Sequence, residues 1–332
     1  MKNRYYLYSH GELLRQDNSL VLIDSKNNKT YLPVNQIEQI NAFSQITLNK
    51  NTISILNDNY ISVNFFSYYG KYLGSFIPNF PKFGKVIVKQ VMCLNDDIKR
   101  NYVAKEITYS SIYNCLALLK YYHKKYAILN SEINELSEVL KNIKKCELKK
   151  YDELMIYEAK AKQIYYSSFS EIIRNNEFSF LKRTKNPPKD EVNALMSYGY
   201  ALLYSLIANK IHRSSLHISF PFIHSNARRK EGLQFDIADI FKPVLIDRLI
   251  FRMINKKQIL KTHFFEYKEG IYLNKEGAKI FIEEIENNLK STIKTNLSKN
   301  NLSYNQIISK EIHKLSNHIK EKERYVGFKM GW

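Results

Sequence analysis

The feature that most constrains this chain is a change of hydrophobic period at residues 77–84. Before it, short apolar runs rich in β-branched and aromatic residues fall at 20–24, 29–34, 46–48, 52–56, 61–66 and 72–77. Runs of that length, spaced by turn formers, predict a small β-sandwich or barrel. Ser25-Lys26-Asn27-Asn28 reads as the turn of a hairpin, and Asn57-Asp58-Asn59 and Tyr69-Gly70-Lys71 are expected to supply positive-φ residues. After it, apolar residues recur at three and four over 86–126, 128–146, 152–178, 190–212, 235–255, 275–291 and 303–322, as in amphipathic helices. The junction, Ile77-Pro78-Asn79-Phe80-Pro81-Lys82-Phe83-Gly84, holds two prolines and a glycine and marks the expected domain boundary. The fold class expected is therefore α+β: a small N-terminal β domain over 1–83, then a larger all-α domain over 84–332.

A length of 332 residues accommodates two domains, and only 10 Gly and 7 Pro exclude collagen-like or low-complexity architectures. Lys plus Arg number 51 against 32 Asp plus Glu, a net charge of +19, of which residues 1–83 carry +3 and the remainder +16. Such a surplus points to a polyanionic partner, nucleic acid before an anionic membrane, and places it mainly on the helical domain. The competing reading is a generally solvated surface in a Lys- and Asn-rich proteome. Cys93, Cys115 and Cys146 are odd in number and widely spaced, which excludes a disulfide framework and a thiolate zinc cluster. The N-terminus lacks an apolar signal core, and the charge-free stretch 192–209 is broken by Asn193, Ser197, Ser205 and Asn209, so it reads as a buried helix. A cytoplasmic location is expected.

Asp236 and Asp239 open the segment FDIADIFKPVLIDRLIFRMI, where i, i+3 spacing sets both carboxylates on one helix face. They are either cap and dipole partners of the helix start or a catalytic pair. Pro243, a turn or two inside, should kink the helix or sit where tertiary contacts absorb the lost hydrogen bond. Upstream, His224 stands between an apolar run and the cations Arg228, Arg229 and Lys230; an imidazole beside carboxylates can complete a divalent-metal site. Its alternative is a satisfied loop histidine. Glu158 lies either on a buried stripe with Leu154, Met155, Ala161 and Tyr165, or on the surface paired with Lys162. No GxxxxGK[ST], GxSxG or HExxH motif occurs, which argues against nucleotide hydrolysis and against serine or zinc peptidase chemistry. Aromatics interleave with cations in Leu119-Lys120-Tyr121-Tyr122-His123-Lys124-Lys125-Tyr126, either a stacking surface or a Tyr-rich core edge. The ending KEKERYVGFKMGW is either a basic arm or a tail.

Five separated segments, in order, resemble the CRISPR adaptation integrases of the Cas1 family. They are HGELLRQDNSLVLI and FFSYYGKYLGSF in the β domain, YEAKAKQIYYSSF around Glu158, RTKNPPKDEVNALMSYGYALLY from Arg183, and FIHSNARRKEGLQFDIADIFKPVLIDRLI from Phe222. The resemblance implies a β-sandwich dimerisation domain at 1–83, a helical catalytic and DNA-binding domain at 84–332, and a homodimer. It implies a metal-dependent DNA endonuclease and integrase that inserts spacers into CRISPR arrays together with the small ferredoxin-like partner of the Cas2 family. The family's metal ligands fall on Glu158, His224 and Asp239, with Asp236 at an auxiliary catalytic position and Mg²⁺ or Mn²⁺ as the cofactor. Arg183, Arg228, Arg229 and Lys230 are the expected contacts to double-stranded DNA. Two departures stand out: the family most often has Glu where Asp239 stands, and Ser225-Asn226-Ala227-Arg228-Arg229 replaces a Pro-Arg turn. The composition and the YVGFKMGW ending look like a type I-B system. The competing readings are a catalytically inactive basic scaffold and a stand-alone nuclease on branched DNA.

Overall fold

The computed structural model describes residues 2–147, 151–224, 231–295 and 300–331. It divides into two units, Met1–Lys82 and Phe83–Trp332.

The first unit is built from two four-stranded sheets. One has the order β1-β5-β7-β8, formed by Asn3–Leu7, Ile37–Ala42, Ser62–Phe66 and Tyr72–Phe76. The other has the order β4-β3-β2-β6, formed by Lys29–Leu32, Ser19–Asp24, Gly11–Gln16 and Ile46–Leu48. The core is a single cluster drawing on both sheets, with Leu13, Leu20, Ile37, Ile40, Leu56, Ile61 and Val63 among its buried members. The turn between β3 and β4 is held by Asp24, which accepts the N–H groups of Lys26 (2.8 Å) and Asn28 (2.9 Å), while Asn27 takes φ 61°. This is the Asx geometry that short polar side chains favour. Positive φ falls on Gly70, as expected, but on Tyr60 rather than within Asn57-Asp58-Asn59.

The run at 52–56 is not a strand. It lies in helix α1, Lys50–Asp58, because Asn49 caps the helix by accepting the Thr52 N–H, and the Thr52 hydroxyl donates to the Leu13 carbonyl (2.8 Å). The cap and the burial of Ile55 and Leu56 on one side outweigh the weak β preference of Thr and Ile.

The second unit is mostly helical: α2 (Gly84–Asn95), α3 (Asp97–Tyr126), α4 (Asn130–Lys145), α5 (Tyr151–Ser167), α6 (Phe169–Ile172), α7 (Glu191–His212), α8 (Leu233–Phe241), α9 (Arg248–Asn255), α10 (Lys275–Lys290) and α11 (Tyr304–Ile319). The expected segment 86–126 is two helices, since Asp96 leaves helical conformation and caps α3 through the Lys99 N–H. Pro243 does interrupt the regular ladder: Lys242–Asp247 is a π-helical turn, with the Arg248 N–H reaching back five residues to the Pro243 carbonyl. Two small β pairs that the periodicity did not mark sit among the helices. They are β9 (Phe264–Tyr267) with β10 (Gly270–Leu273), and β11 (Thr292–Ile293) with β12 (Leu302–Ser303). The first is a hairpin whose two turn residues, Lys268 and Glu269, both take positive φ.

Helix α8 is the hub. Leu233, Ile237, Ile240 and Phe241 are all fully buried, and the helix packs against α3 and α7. Helix α7, which contains the charge-free stretch, is buried along nearly its whole length. Among the described residues, no helix is long and apolar enough to cross a membrane. The ending of the chain is neither an arm nor a loose tail. Tyr325, Phe328 and Met330 are buried, the Tyr325 hydroxyl donates to Glu311 (2.6 Å), and Phe328 stacks on Phe241. The strap passes so close to α3 that a Cβ at Gly327 would lie 2.2 Å from the Ser110 hydroxyl oxygen.

Candidate active site

Asp236 and Asp239 of α8 stand beside His224 of the preceding loop, and Glu158 of α5 is linked to Asp239 through Lys162. Asp236, in the first turn of α8, is fully buried. Its carboxylate accepts the backbone N–H groups of Phe222 (2.6 Å), Ile223 (3.2 Å) and His224 (3.1 Å). These three bonds anchor the loop at 222–224 to the first turn of α8. Asp236 Oδ1 also lies 2.7 Å from His224 Nδ1. In the neutral tautomer that such a carboxylate favours, the ring proton is on Nδ1 and the lone pair is on Nε2. That nitrogen is 4.0 Å from Asp239 Oδ2. Tyr151 fixes the same loop, donating its hydroxyl to the Ile223 carbonyl (2.7 Å) beneath the guanidinium of Arg100.

Glu158 comes from α5 and is joined to Asp239 by a lysine. Lys162 Nζ contacts Glu158 Oε1 and lies 3.2 Å from Asp239 Oδ2, so the i, i+4 pairing and the inward placement of Glu158 coexist. Lys242, three residues beyond Asp239, pairs with its other oxygen and sits 5.0 Å from the ring centroids of Tyr200 and Tyr204. Burial alone would raise the Asp239 pKa, but Lys242, Lys162 and His224 together hold it well below the usual carboxylate range. The lysines respond in the opposite sense: burial opposes their charge, and Asp239 overcomes it, keeping both firmly protonated.

Behind this cluster lies a carboxylate that the sequence did not single out. Asp247, at the end of the π-helical turn, accepts hydroxyls from Tyr165 (2.8 Å) on α5 and Tyr200 (2.6 Å) on α7. Burial pushes its pKa up to about 6, against the opposing effect of the two hydroxyls. Tyr165 is two turns from Glu158 on α5, so one buried acid ties the helix of Glu158 to the segment that follows Asp239. The carbonyl of Asp239 itself accepts the Ser111 hydroxyl (2.9 Å), and Asn114 donates to the carbonyl of Ile240 (2.8 Å). Lys242 carried the same i, i+3 signal as Asp236 and Asp239 and could have been read from the sequence. Asp247 could not, because its partners lie 82 and 47 residues away.

Arg183 is engaged within the fold. Its guanidinium donates to Asn193 Oδ1 (2.7 Å) and the Ser197 hydroxyl (3.0 Å), and lies over the Tyr200 ring. Arg228, Arg229 and Lys230 lie outside the described residues.

Among the described residues, no three His, Cys, Asp or Glu side chains stand at metal-ligating spacing. The chemistry of the donor set nevertheless fits a hard divalent ion: two carboxylates and an imidazole whose Nδ1 is already held by Asp236. The place between Glu158 and Asp239 is itself one that attracts a cation, since Lys162 is drawn into it.

The family model described as CRISPR associated protein Cas1 matches residues 5–287. The chain is 36% identical over 333 residues to the CRISPR-associated endonuclease Cas1 2 of Thermodesulfovibrio yellowstonii, covering 100% of both chains. It is 32% identical to the CRISPR-associated endonuclease Cas1 of Fusobacterium nucleatum, over 100% of this chain and 98% of the relative. A Cas1 protein from Thermotoga maritima superposes at a TM-score of 0.86 with 31% identity, over 99% of this chain and 100% of that one. A casposase bound to integration product shares the fold, with a TM-score of 0.88, 19% identity, and coverage of 99% and 93%. A β unit followed by a helical unit, matched end to end in this way, defines the class as the CRISPR-associated endonucleases. Within it, the chain belongs to the Cas1 family.

Proposed function

We propose that this chain is a metal-dependent DNA endonuclease and integrase of CRISPR adaptation, acting in the cytoplasm as a homodimer with a small partner of the Cas2 family. One observation supports the reading: Asp239 lies 4.0 Å from His224 Nε2 and is linked through Lys162 to Glu158, residues far apart in sequence, with Asp236 holding the imidazole. Glu158, His224 and Asp239 would hold Mg²⁺ or Mn²⁺. Such an ion supplies charge neutralisation at the scissile phosphate. Asp236 is the auxiliary catalytic residue, since its bond to Nδ1 fixes the direction of Nε2. Lys162 and Lys242, both kept charged, add positive potential where negative charge develops on the phosphate. In the reaction, the 3′-hydroxyl oxygen of incoming DNA bonds to phosphorus in the array strand. The bond from that phosphorus to the array's own 3′-oxygen breaks, leaving a free 3′-hydroxyl. Arg228, Arg229 and Lys230 are proposed as phosphate contacts.

The test is strand transfer. Purified protein, its Cas2-family partner, labelled duplex with free 3′-hydroxyls and a supercoiled array plasmid are incubated with Mn²⁺ or Mg²⁺, with His224→Ala in parallel. Label joined to plasmid by the wild type alone is the expected result. Joining by both proteins would show the site to be misassigned, and DNA binding without joining by either would leave an inactive scaffold.

A further inference from the structure

A second concentration of cations lies towards the far end of α3. Two grooves there share Tyr121 and Lys125. One, of about 650 Å³, runs along Tyr113, Lys120 and Lys124 to Met330 of the C-terminal strap. The other, of about 240 Å³, runs past Tyr126 to Arg248, Arg252 and Lys256. Among the described residues, neither groove is lined by a carboxylate. Arg252, which lines the second groove, pairs with Glu284. Lys124 and Lys125 complement the C-terminal dipole of α3, but that reason does not extend to Lys120, a turn earlier on α3, or to Lys256, just beyond α9, which also line the grooves. Aromatic rings stand beside several of the cations at this end of α3. Arg248 lies 5.1 Å from the Tyr121 centroid, while Lys125 and Arg174 each lie 4.9 Å from that of Tyr126. A ring quadrupole attracts a cation yet leaves its charge available to an anion.

The place of the grooves relative to the catalytic cluster follows from helix geometry. Ser111 of α3 touches Asp239, and Lys120 to Lys125 lie nine to fourteen residues further on. At a rise of about 1.5 Å per residue, that is roughly 14–21 Å along the helix axis. This is near half a turn of duplex, whose repeat is about 34 Å.

We propose that these grooves form a second DNA-backbone contact, taking duplex phosphates that flank the reacting phosphodiester. The proposal rests on the DNA-processing reading above and adds the surface and the chemical class of its occupant. The test is the triple variant Lys120→Gln, Lys124→Gln, Lys125→Gln, all exposed positions. Its control removes equal charge elsewhere on the unit, at Lys275, Lys279 and Lys310. Duplex affinity of the full chain is read by fluorescence anisotropy across a salt series, with circular dichroism melting to establish folding. Each phosphate contact contributes about −0.9 to the log–log slope. The groove variant should therefore lose roughly 2 to 3 from the slope and on the order of 10²-fold in affinity near ~0.1 M salt. The control should keep both.

An unchanged slope in a groove variant that still binds DNA would overturn the groove and leave the nuclease reading standing. Equal losses in groove variant and control would also overturn it, as an effect of net charge alone. An unchanged slope with loss of capture by the Cas2-family partner would reassign the surface to protein. Failure of the wild type to bind duplex at any salt would overturn the groove and the nuclease reading together.

Discussion

Replacing Asp247 by Asn tests the electrostatics behind the cluster of Glu158, His224 and Asp239. The carboxylate is fully buried between two tyrosine hydroxyls, and burial raises its pKa from 3.8 to about 6. A shift of that size is worth about 3 kcal/mol between protonation states, at ~1.4 kcal/mol per unit. Because the folded-state pKa is raised, the folded protein holds this proton more tightly than the unfolded chain. The stabilisation is complete below the unfolded value of 3.8 and is lost as pH rises through about 6. Most of the change falls in an accessible window: between about pH 4.5 and about pH 7.5 it amounts to roughly 2 kcal/mol. Asn keeps the shape, accepts one hydroxyl through Oδ1 and can donate to the other through Nδ2, so the comparison isolates the charge. Urea unfolding of wild type and Asp247→Asn, followed by far-ultraviolet circular dichroism at steps across that window, gives the difference directly. Other titrating groups cancel in it. The wild type should lose roughly 2 kcal/mol relative to the variant on going from acid to neutral pH. Parallel curves would refute the claim that this carboxylate is desolvated in the fold.

Two further outcomes follow from the same neighbourhood. Asn114→Ala removes donors to the Ile240 and Phe328 carbonyls and the acceptor of the Met330 N–H, all buried. It should cost about 3 kcal/mol in urea unfolding, and less once residues 328–332 are deleted, because two of the three bonds are then already gone; additive costs would show that Asn114 does not hold the strap. Lys162→Met removes the ammonium that stands between Glu158 and Asp239. The Mn²⁺ concentration giving half-maximal DNA joining should fall severalfold, and a rise would mean that the lysine helps to form the site rather than competing with the ion.

The change of period at 77–84 and the helical segments were legible because each helix buries one face locally, and a face leaves a 3.6-residue pattern. The boundary between the units falls inside that stretch, at Lys82 and Phe83. The i, i+3 spacing of Asp236 and Asp239 was legible for the same reason. Their different environments were not. Sequence put an apolar face opposite the two acids, but α8 is enclosed on every side, and burial is what makes Asp236 a loop anchor and binds Asp239 to two ammoniums. The misread run at 52–56 shows where local pattern stops. Thr and Ile suit a strand, yet one cap at Asn49 and one hydroxyl bond to Leu13 decide for helix.

The sequence by itself determined which residue types were at hand for phosphate chemistry, and that the positive charge is concentrated after residue 83. Tertiary structure alone decided that Glu158 shares a lysine with Asp239, that Asp247 joins α5 to α7, and that the C-terminal residues pack against α8. Each of those depends on contacts between residues tens to hundreds of positions apart. Such contacts form only when several helices bury their apolar faces together, and no periodicity along a single segment encodes them.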